Sequence, residues 1–176
     1  GMAENRLVEA MTLGSTSPLE DRDPNDLGRF GLGLKTASFS QCKLVTVATK
    51  VKGSFESTRF WNLDFVEHVK EWKLGKVPDD DVRTLLGPLK DMEKGTVVVW
   101  KELDRVVDKG DGADHDPEQA FLVRFLYVKE YLEMVFHQYL ENRRNKLKII
   151  VGNAECRPWD PYLAKNDYKQ ELSAEK

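Results

Sequence analysis

The chain has 176 residues, of which 40% are hydrophobic and 32% are charged, and its formal net charge is −3. A chain of this length can form a hydrophobic core of its own, and its composition fits a soluble globular protein and not a disordered one. The small negative net charge argues against a globally basic nucleic-acid-binding protein. No apolar run approaches the ~20 residues of a membrane-spanning helix, so we predict a cytoplasmic protein with no membrane partner.

The N-terminal segment predicts a short helix followed by a loop. Leu7, Val8, Ala10 and Met11 recur at helical spacing and predict a helix over residues 3–13. The following residues, 15–26, contain two prolines and four acidic side chains without periodicity. Such a composition is typical of an exposed loop.

The most informative stretch lies at residues 27–38. Gly28, Gly31 and Gly33 are followed by a run without helix breakers, a pattern that indicates a flexible loop leading into a helix N-terminus, which can bind phosphate. Lys35 adds a compact positive charge. The spacing differs from a P-loop by one residue, Leu34, and no strand precedes the glycines, as a dinucleotide-binding fingerprint requires. A glycine-rich turn before a core helix is the alternative.

The middle of the chain carries strand patterns separated by turn residues. Alternating or β-branched segments occur at residues 44–51, 57–65, 69–74 and 96–100. Residues 52–54 predict the turn of a hairpin, and the last segment, 96–100, predicts a buried strand. Successive antiparallel strands with helices grouped on one face indicate an α+β fold, a two-layer α/β sandwich.

Two acidic stretches are explained without a metal. Asp79, Asp80 and Asp81 precede a short helical pattern, where acidic side chains cap the helix and pair with its dipole. Residues 108–116 resemble a calcium loop, but glycines occupy two ligand positions. We therefore predict a solvated linker there and no metal ligands. Cys42 and Cys156 are predicted to be reduced, buried thiols.

The C-terminal part predicts a long helix and a small hairpin. Asp116 and Pro117 mark a helix start, and the helix extends to about residue 142 with a broad apolar stripe. That stripe either packs in the core or, alternatively, forms part of a groove that binds a partner helix. A basic cluster at residues 143–148 offsets the helix dipole or meets phosphate groups or a partner. Residues 147–151 and 155–157 predict the hairpin, and the tail from residue 164 is polar.

Several segments in this order resemble one superfamily. They are Gly1-Met2, Leu-x-x-Ala-Met-x-Leu-Gly-Ser at 7–15, Gly-Arg-Phe-Gly-Leu-Gly-Leu-Lys-Thr-Ala at 28–37, Gly-Thr-Val-Val-Val-Trp at 95–100 and Trp-Asp-Pro-Tyr at 159–162. Together they resemble the ATP-binding domain of gyrase B, heat-shock chaperones, histidine kinases and MutL (the GHKL superfamily), most closely its MORC-like, histidine kinase-like branch. The resemblance implies the Bergerat-type fold, with residues 1–163 as one N-terminally truncated domain, a lid at 14–27, a glycine loop at 28–35 and a tail at 164–176.

The resemblance also implies the ligands ATP and Mg²⁺ and a set of contacts. Main-chain N–H groups of Gly31, Gly33 and Leu34 would hold the phosphates, Lys35 would neutralise charge, Met2 would pack against the base, and Thr96 would join the network around adenine. The residues implied to bind nucleotide are Met2, Gly28, Arg29, Phe30, Gly31, Leu32, Gly33, Leu34, Lys35, Thr36 and Thr96.

The family's catalytic glutamate, magnesium-binding asparagine and adenine-reading aspartate match no residue of this chain. We therefore assign no catalytic or metal residue and expect hydrolysis to be impaired. Gly1 is either part of the first glycine motif or a cleavage scar ahead of Met2.

Two hypotheses of other classes remain open. In the first, the chain is a scaffold for protein interaction, such as a homodimer formed through uncovered sheet edges. In the second, it is an ATP-gated factor that acts on DNA or on a protein client. The second of these is suggested by fold analogy alone.

Overall fold

The computed structural model describes residues 1–12, 32–104, 116–142, 147–164 and 166–168. The predicted lid at 14–27, the residues Gly28, Arg29, Phe30 and Gly31, most of the 108–116 linker and residues 143–146 lie outside the described residues. The chain forms two compact units, Gly1–Asp108 and Lys109–Lys176, and each is described by itself. The single domain over residues 1–163 stays a prediction.

The first unit contains five helical segments and three strands among its described residues. In chain order they are α1 (Glu4–Met11), α2 (Gly33–Phe39), β1 (Leu44–Lys50), β2 (Ser57–Asn62), α3 (Leu63–Val69), α4 (Asp80–Leu85), a 3-10 turn (Gly87–Leu89) and β3 (Gly95–Lys101). The predictions of α1, α2, β1 and α4 as elements are confirmed. Asp79 is the N-cap residue of α4, but its side chain makes no cap hydrogen bond, and Asp80 and Asp81 lie in the first turn.

The strands form one antiparallel sheet in the order β2-β1-β3. On β1, Thr46 lies opposite Phe60 of β2, and Thr49 lies opposite Thr96 of β3. Successive side chains of β1 point to opposite faces of the sheet, and those of Leu44 to Thr49 are all buried, so both faces are covered along this strand. The predicted α+β class is confirmed.

One strand ends earlier than predicted, and another does not form. The pattern at 57–65 predicts a strand, but β2 stops at Asn62, whose side-chain oxygen accepts a hydrogen bond from Phe65 N at 3.0 Å and caps α3. The predicted strand at 69–74 is likewise wrong, because α3 extends to Val69 and the following residues make a single bridge, between Phe60 and Gly75. The apolar residues there fit helical spacing as well as a strand.

The core lies on both faces of the sheet. We call the face that packs against α1 and α2 the α1 face; its buried apolar residues are Leu7, Met11, Cys42, Val45, Val47 and Trp61. The opposite, α4 face has the buried residues Leu44, Ala48, Val82, Leu86, Leu89 and Val99. Both faces are therefore covered, whereas the sequence pattern placed the helices on one.

Strand β3 is more exposed than predicted. Of its residues only Val99 is buried, while Thr96, Val98 and Trp100 are exposed. In the sheet formed by the described residues β3 pairs on one side only, so it is an edge strand. The β-branched composition that predicts a strand does not report whether the strand is central or at an edge.

The second unit contains α5 (Pro117–Val135), α6 (His137–Glu141), β4 (Ile150–Val151) and β5 (Ala154–Glu155). The predicted cap is confirmed, since Asp116 Oδ1 accepts a hydrogen bond from Glu118 N at 3.0 Å. The single predicted helix is interrupted at Phe136, and the predicted hairpin forms over fewer residues, with Gly152 in the left-handed region at φ 60°. Apolar side chains of α5, among them Leu122, Leu126 and Tyr131, are exposed. No described helix is long and apolar enough to cross a bilayer.

Candidate functional site

The main chain at position 1 lies close to two strands. A Cβ built on Gly1 would lie 1.9 Å from the carbonyl oxygen of Lys50 and 2.8 Å from that of Gly95. Both atoms belong to the backbone of the sheet and cannot rotate away. Any residue other than glycine would therefore have to displace the chain from the ends of β1 and β3.

A buried hydroxyl joins residues that are distant in sequence. Thr49 Oγ1 accepts a hydrogen bond from Met2 N at 2.7 Å and lies 3.0 Å from Thr96 Oγ1 and 3.2 Å from Gly95 O. One hydroxyl can donate once and accept twice, so all three contacts are satisfied if Thr49 donates to Gly95 O. Two predicted site residues, Met2 and Thr96, thus meet through a fully buried side chain.

Thr49 was not among the residues singled out from the sequence. The alternation of Val45 and Val47 indicates that position 49 shares their face, but only the strand register places it opposite Thr96. A threonine that continues the alternating apolar pattern of Val45 and Val47 is a weak signal that could have identified Thr49.

The described part of the glycine loop leads into α2. The helix begins at Gly33, and Leu32, Gly33 and Thr36 are exposed. A Cβ added at Gly33 would meet no atom of the described residues within 4 Å. Thr36 Oγ1 donates to Leu32 O at 3.0 Å. Leu34 is partly buried against the α1-face core. The start of α2 therefore has room for a ligand next to its backbone.

Lys35 has an environment that differs from its predicted surroundings. Its side chain is 1% exposed, and its Nζ donates to Ala10 O at 3.0 Å and Thr12 O at 2.8 Å. Burial lowers the pKa of this ammonium. The contacts attach α2 to the C-terminal end of α1, where carbonyl groups lack helical partners and attract positive charge. Charge neutralisation of phosphate by Lys35 stays a prediction.

A second polar contact attaches α2 to β3. Trp100 Nε1 donates to Ser38 Oγ at 2.9 Å, and Ser38 Oγ donates to Leu34 O at 2.6 Å. Ser38 is fully buried. Together with the Lys35 contacts, this fixes α2 between α1 and the third strand.

The titratable side chains supply no metal centre. Within the described ranges, no three His, Cys, Asp or Glu residues are grouped so as to hold a metal ion. Cys42 and Cys156 are free and buried, as predicted, and burial raises the pKa of both thiols. Buried thiols of this kind are chemically inert.

Comparison with known proteins assigns the chain to a family. A profile described as "Histidine kinase-, DNA gyrase B-, and HSP90-like ATPase" matches residues 1–96, more than half of the chain. The match spans Met2, the glycine loop, β1 and Thr96, which include the residues joined by the Thr49 hydroxyl. A search of curated proteins found no match. The chain belongs to the family of histidine kinase-, DNA gyrase B- and HSP90-like ATPases.

Proposed function

We propose that this chain binds ATP on the α1 face of its sheet, as a GHKL-type ATP-binding domain of the MORC-like branch. The observation that carries the proposal is the contact of Met2 and Thr96 with one buried hydroxyl, Thr49. Adenine presents both donors and acceptors along its edge, and Thr96 is exposed while retaining acceptor capacity. The adenine would lie beside Thr96 and pack against Met2.

The phosphates would lie against the start of α2. Main-chain N–H groups of Gly31, Gly33 and Leu34 would bind phosphate oxygens, with Gly28, Phe30 and Leu32 shaping the loop and Arg29 and Thr36 at its edges. Open space at Gly33 supports this placement, since a phosphate could approach the backbone there without meeting a side chain of the described residues. Lys35 would contribute positive charge from within the fold, because its ammonium lies at the end of α1.

Magnesium enters this proposal only as an ion carried by the nucleotide. The described residues hold no cluster of carboxylate, His or Cys side chains that fits a magnesium ion. We therefore assign the metal no catalytic role in this chain. A general base alone contributes at least ~10²-fold to such reactions, so we expect ATP binding with negligible hydrolysis.

Calorimetric titration with ATP tests the proposal. Wild-type protein should release heat on binding, and Gly33→Ala should bind ATP several-fold more weakly while folding at least as stably, because alanine favours the helix and meets no neighbour. Gly87→Ala, at another glycine with open space, is the matched control and should bind as wild type does. No heat at millimolar ATP would overturn ATP binding. Unchanged affinity in Gly33→Ala would place the phosphates elsewhere.

A homodimer is the second candidate function. Exposed apolar side chains on α5, together with the exposed residues Val98 and Trp100 on β3, are surfaces that copies of a chain bury on association. Sedimentation velocity over a range of protein concentrations, with and without ATP, tests this. A dimer that forms equally in both conditions supports a scaffold, and a monomer at all concentrations contradicts it.

A further inference from the structure

A cavity of about 430 Å³ lies on the α4 face, away from the contacts of Met2 and Thr49. Its floor is made by Leu44 and Thr46 of β1 together with Phe60 of β2, and its walls include Phe65 of α3 and Val82 of α4. Pockets of roughly 300–1,000 Å³ accommodate small organic molecules. The size of this cavity suits a molecule with two fused rings.

The floor of the cavity contains an unsatisfied hydroxyl. Thr46 is fully buried, and its Oγ1 has no hydrogen-bond partner among the described residues. The residues across from it on the two neighbouring strands, Phe60 and Val99, offer no polar side chain. A buried polar group without a partner is unfavourable, so a ligand atom that bonds to Thr46 would relieve that cost. Because the hydroxyl is fully covered in this structure, the side chains around it must move aside for that bond to form.

One wall of the cavity is a preformed aromatic surface. The ring of Phe60 occupies the space next to Gly75, where an added Cβ would lie 2.2 Å from two ring atoms. Two main-chain bonds hold the segments together, Phe60 N to Gly75 O at 3.0 Å and Gly75 N to Phe60 O at 2.9 Å. The ring therefore has a fixed position against which a flat molecule can stack.

Charges are confined to the outer part of the lining. Lys73 and Asp79 contribute one charge of each sign, and both are exposed. Lys73 already pairs with Glu71 at 2.6 Å. The buried part of the lining carries no charge, so a charged ligand would lose hydration without gaining a buried partner.

We infer that this cavity binds a neutral aromatic molecule of about two rings that carries one hydrogen-bonding group. The rings stack on Phe60, and the polar group bonds to Thr46 Oγ1. Alternation along β1 places Thr46 and Thr49 on opposite faces of the sheet. The site is therefore independent of the proposed nucleotide site, and both can be occupied together.

The experiment uses 2-naphthol as the probe in an NMR titration of the full chain. Wild type should show saturable binding, with nuclear Overhauser contacts between the naphthol ring and the methyl groups of Thr46 and Leu44. Thr46→Val should bind about three- to tenfold more weakly, the effect of one lost hydrogen bond. Thr84→Val, the same substitution on an exposed position of α4, is the control and should bind as wild type does.

Three results would overturn the inference. They are contacts that map to other surfaces such as α5, equal affinity in Thr46→Val and wild type, and displacement of naphthol by ATP. The Overhauser contacts need no variant, so they test the site even if Thr46→Val does not fold.

Discussion

Two threonines on the central strand, three residues apart, have opposite environments. Thr49 and Thr46 are both fully buried, yet Thr49 Oγ1 has three polar atoms within hydrogen-bond distance and Thr46 Oγ1 has none among the described residues. The α1 face surrounds its buried polar groups with partners, including Lys35 and Ser38. The α4 face leaves a hydroxyl on the floor of a cavity.

Burial alone therefore does not identify the role of a polar side chain. A satisfied buried group stabilises the fold by fixing which segments meet, here Met2, β1 and β3. An unsatisfied one lowers stability and suggests a missing partner. Four substitutions test this contrast between the buried polar groups of the two faces.

The largest effect is expected from Lys35→Met. The substitution keeps an apolar chain of similar length but leaves Ala10 O and Thr12 O without their donor. Hydrogen bonds to a charged group are worth about 1.5–3 kcal/mol, so we expect the free energy of unfolding to fall by about 2–3 kcal/mol. Urea denaturation measures it.

The control for that variant is Lys52→Met at an exposed position, which should change stability by less than about 0.5 kcal/mol. The pH dependence gives a second check. Burial lowers the folded-state pKa of Lys35 below the ordinary lysine value of 10.5. Between those two values the unfolded chain binds more protons, so this residue's contribution to stability rises with pH. Equal stability of Lys35→Met and wild type would contradict the described contacts.

A smaller loss is expected from Thr49→Val. The variant removes the acceptor for Met2 N and the donor to Gly95 O while retaining the shape of the side chain. We expect destabilisation of about 1–2 kcal/mol in urea, with amide exchange at Met2 accelerated relative to wild type. A variant as stable as wild type would show that the hydroxyl is not the link between Met2 and β3.

Thr46→Val should have the opposite sign. Because no bond is lost and a buried polar atom is removed, we expect stability to stay constant or to rise by up to about 1 kcal/mol. Chemical denaturation under the conditions used for Thr49→Val makes the two directly comparable. A loss as large as that of Thr49→Val would mean that Thr46 has a partner and would remove the contrast between the faces.

The smallest effect is expected from Glu4→Gln on α1. The guanidinium of Arg59, which is buried, lies 2.5 Å from Glu4 and holds the pKa of that carboxyl below its usual value. A depressed folded-state pKa gives stability that is present above the ordinary glutamate value of 4.5 and is lost as pH falls through the folded-state pKa. The midpoint of urea unfolding should therefore fall less in Glu4→Gln than in wild type as the solution is acidified. Parallel curves would show that the pair contributes nothing.

Local patterns predicted much of the fold. Alternation through Val45 and Val47 located β1, helical spacing located α1, and the Asp116-Pro117 pair located the start of α5. The extent of β2 was not predictable from alternation, because Asn62 caps a helix within an apolar run. In a short apolar run, periodicity alone does not distinguish a strand from a helix.

The sequence predicted which residues belong to the candidate site better than it predicted the contacts that they make. The motifs at Met2, Gly33 and Thr96 were evident from the resemblance, and the structure brings Met2 and Thr96 together. That Lys35 turns towards α1, and that Thr49 links the two motifs, depends on tertiary packing and strand register. Neither is encoded in residue spacing along the chain.

Backbone NMR of the chain titrated with ATP reports directly on nucleotide binding at the α1 face. Saturable amide shifts are expected at Met2, Gly33, Leu34 and Thr96, whereas the side chains of Thr46 and Phe60 on the α4 face should show no contact with ATP. Shifts confined to the α4-face cavity or to α5, or no shifts at millimolar ATP, would contradict it.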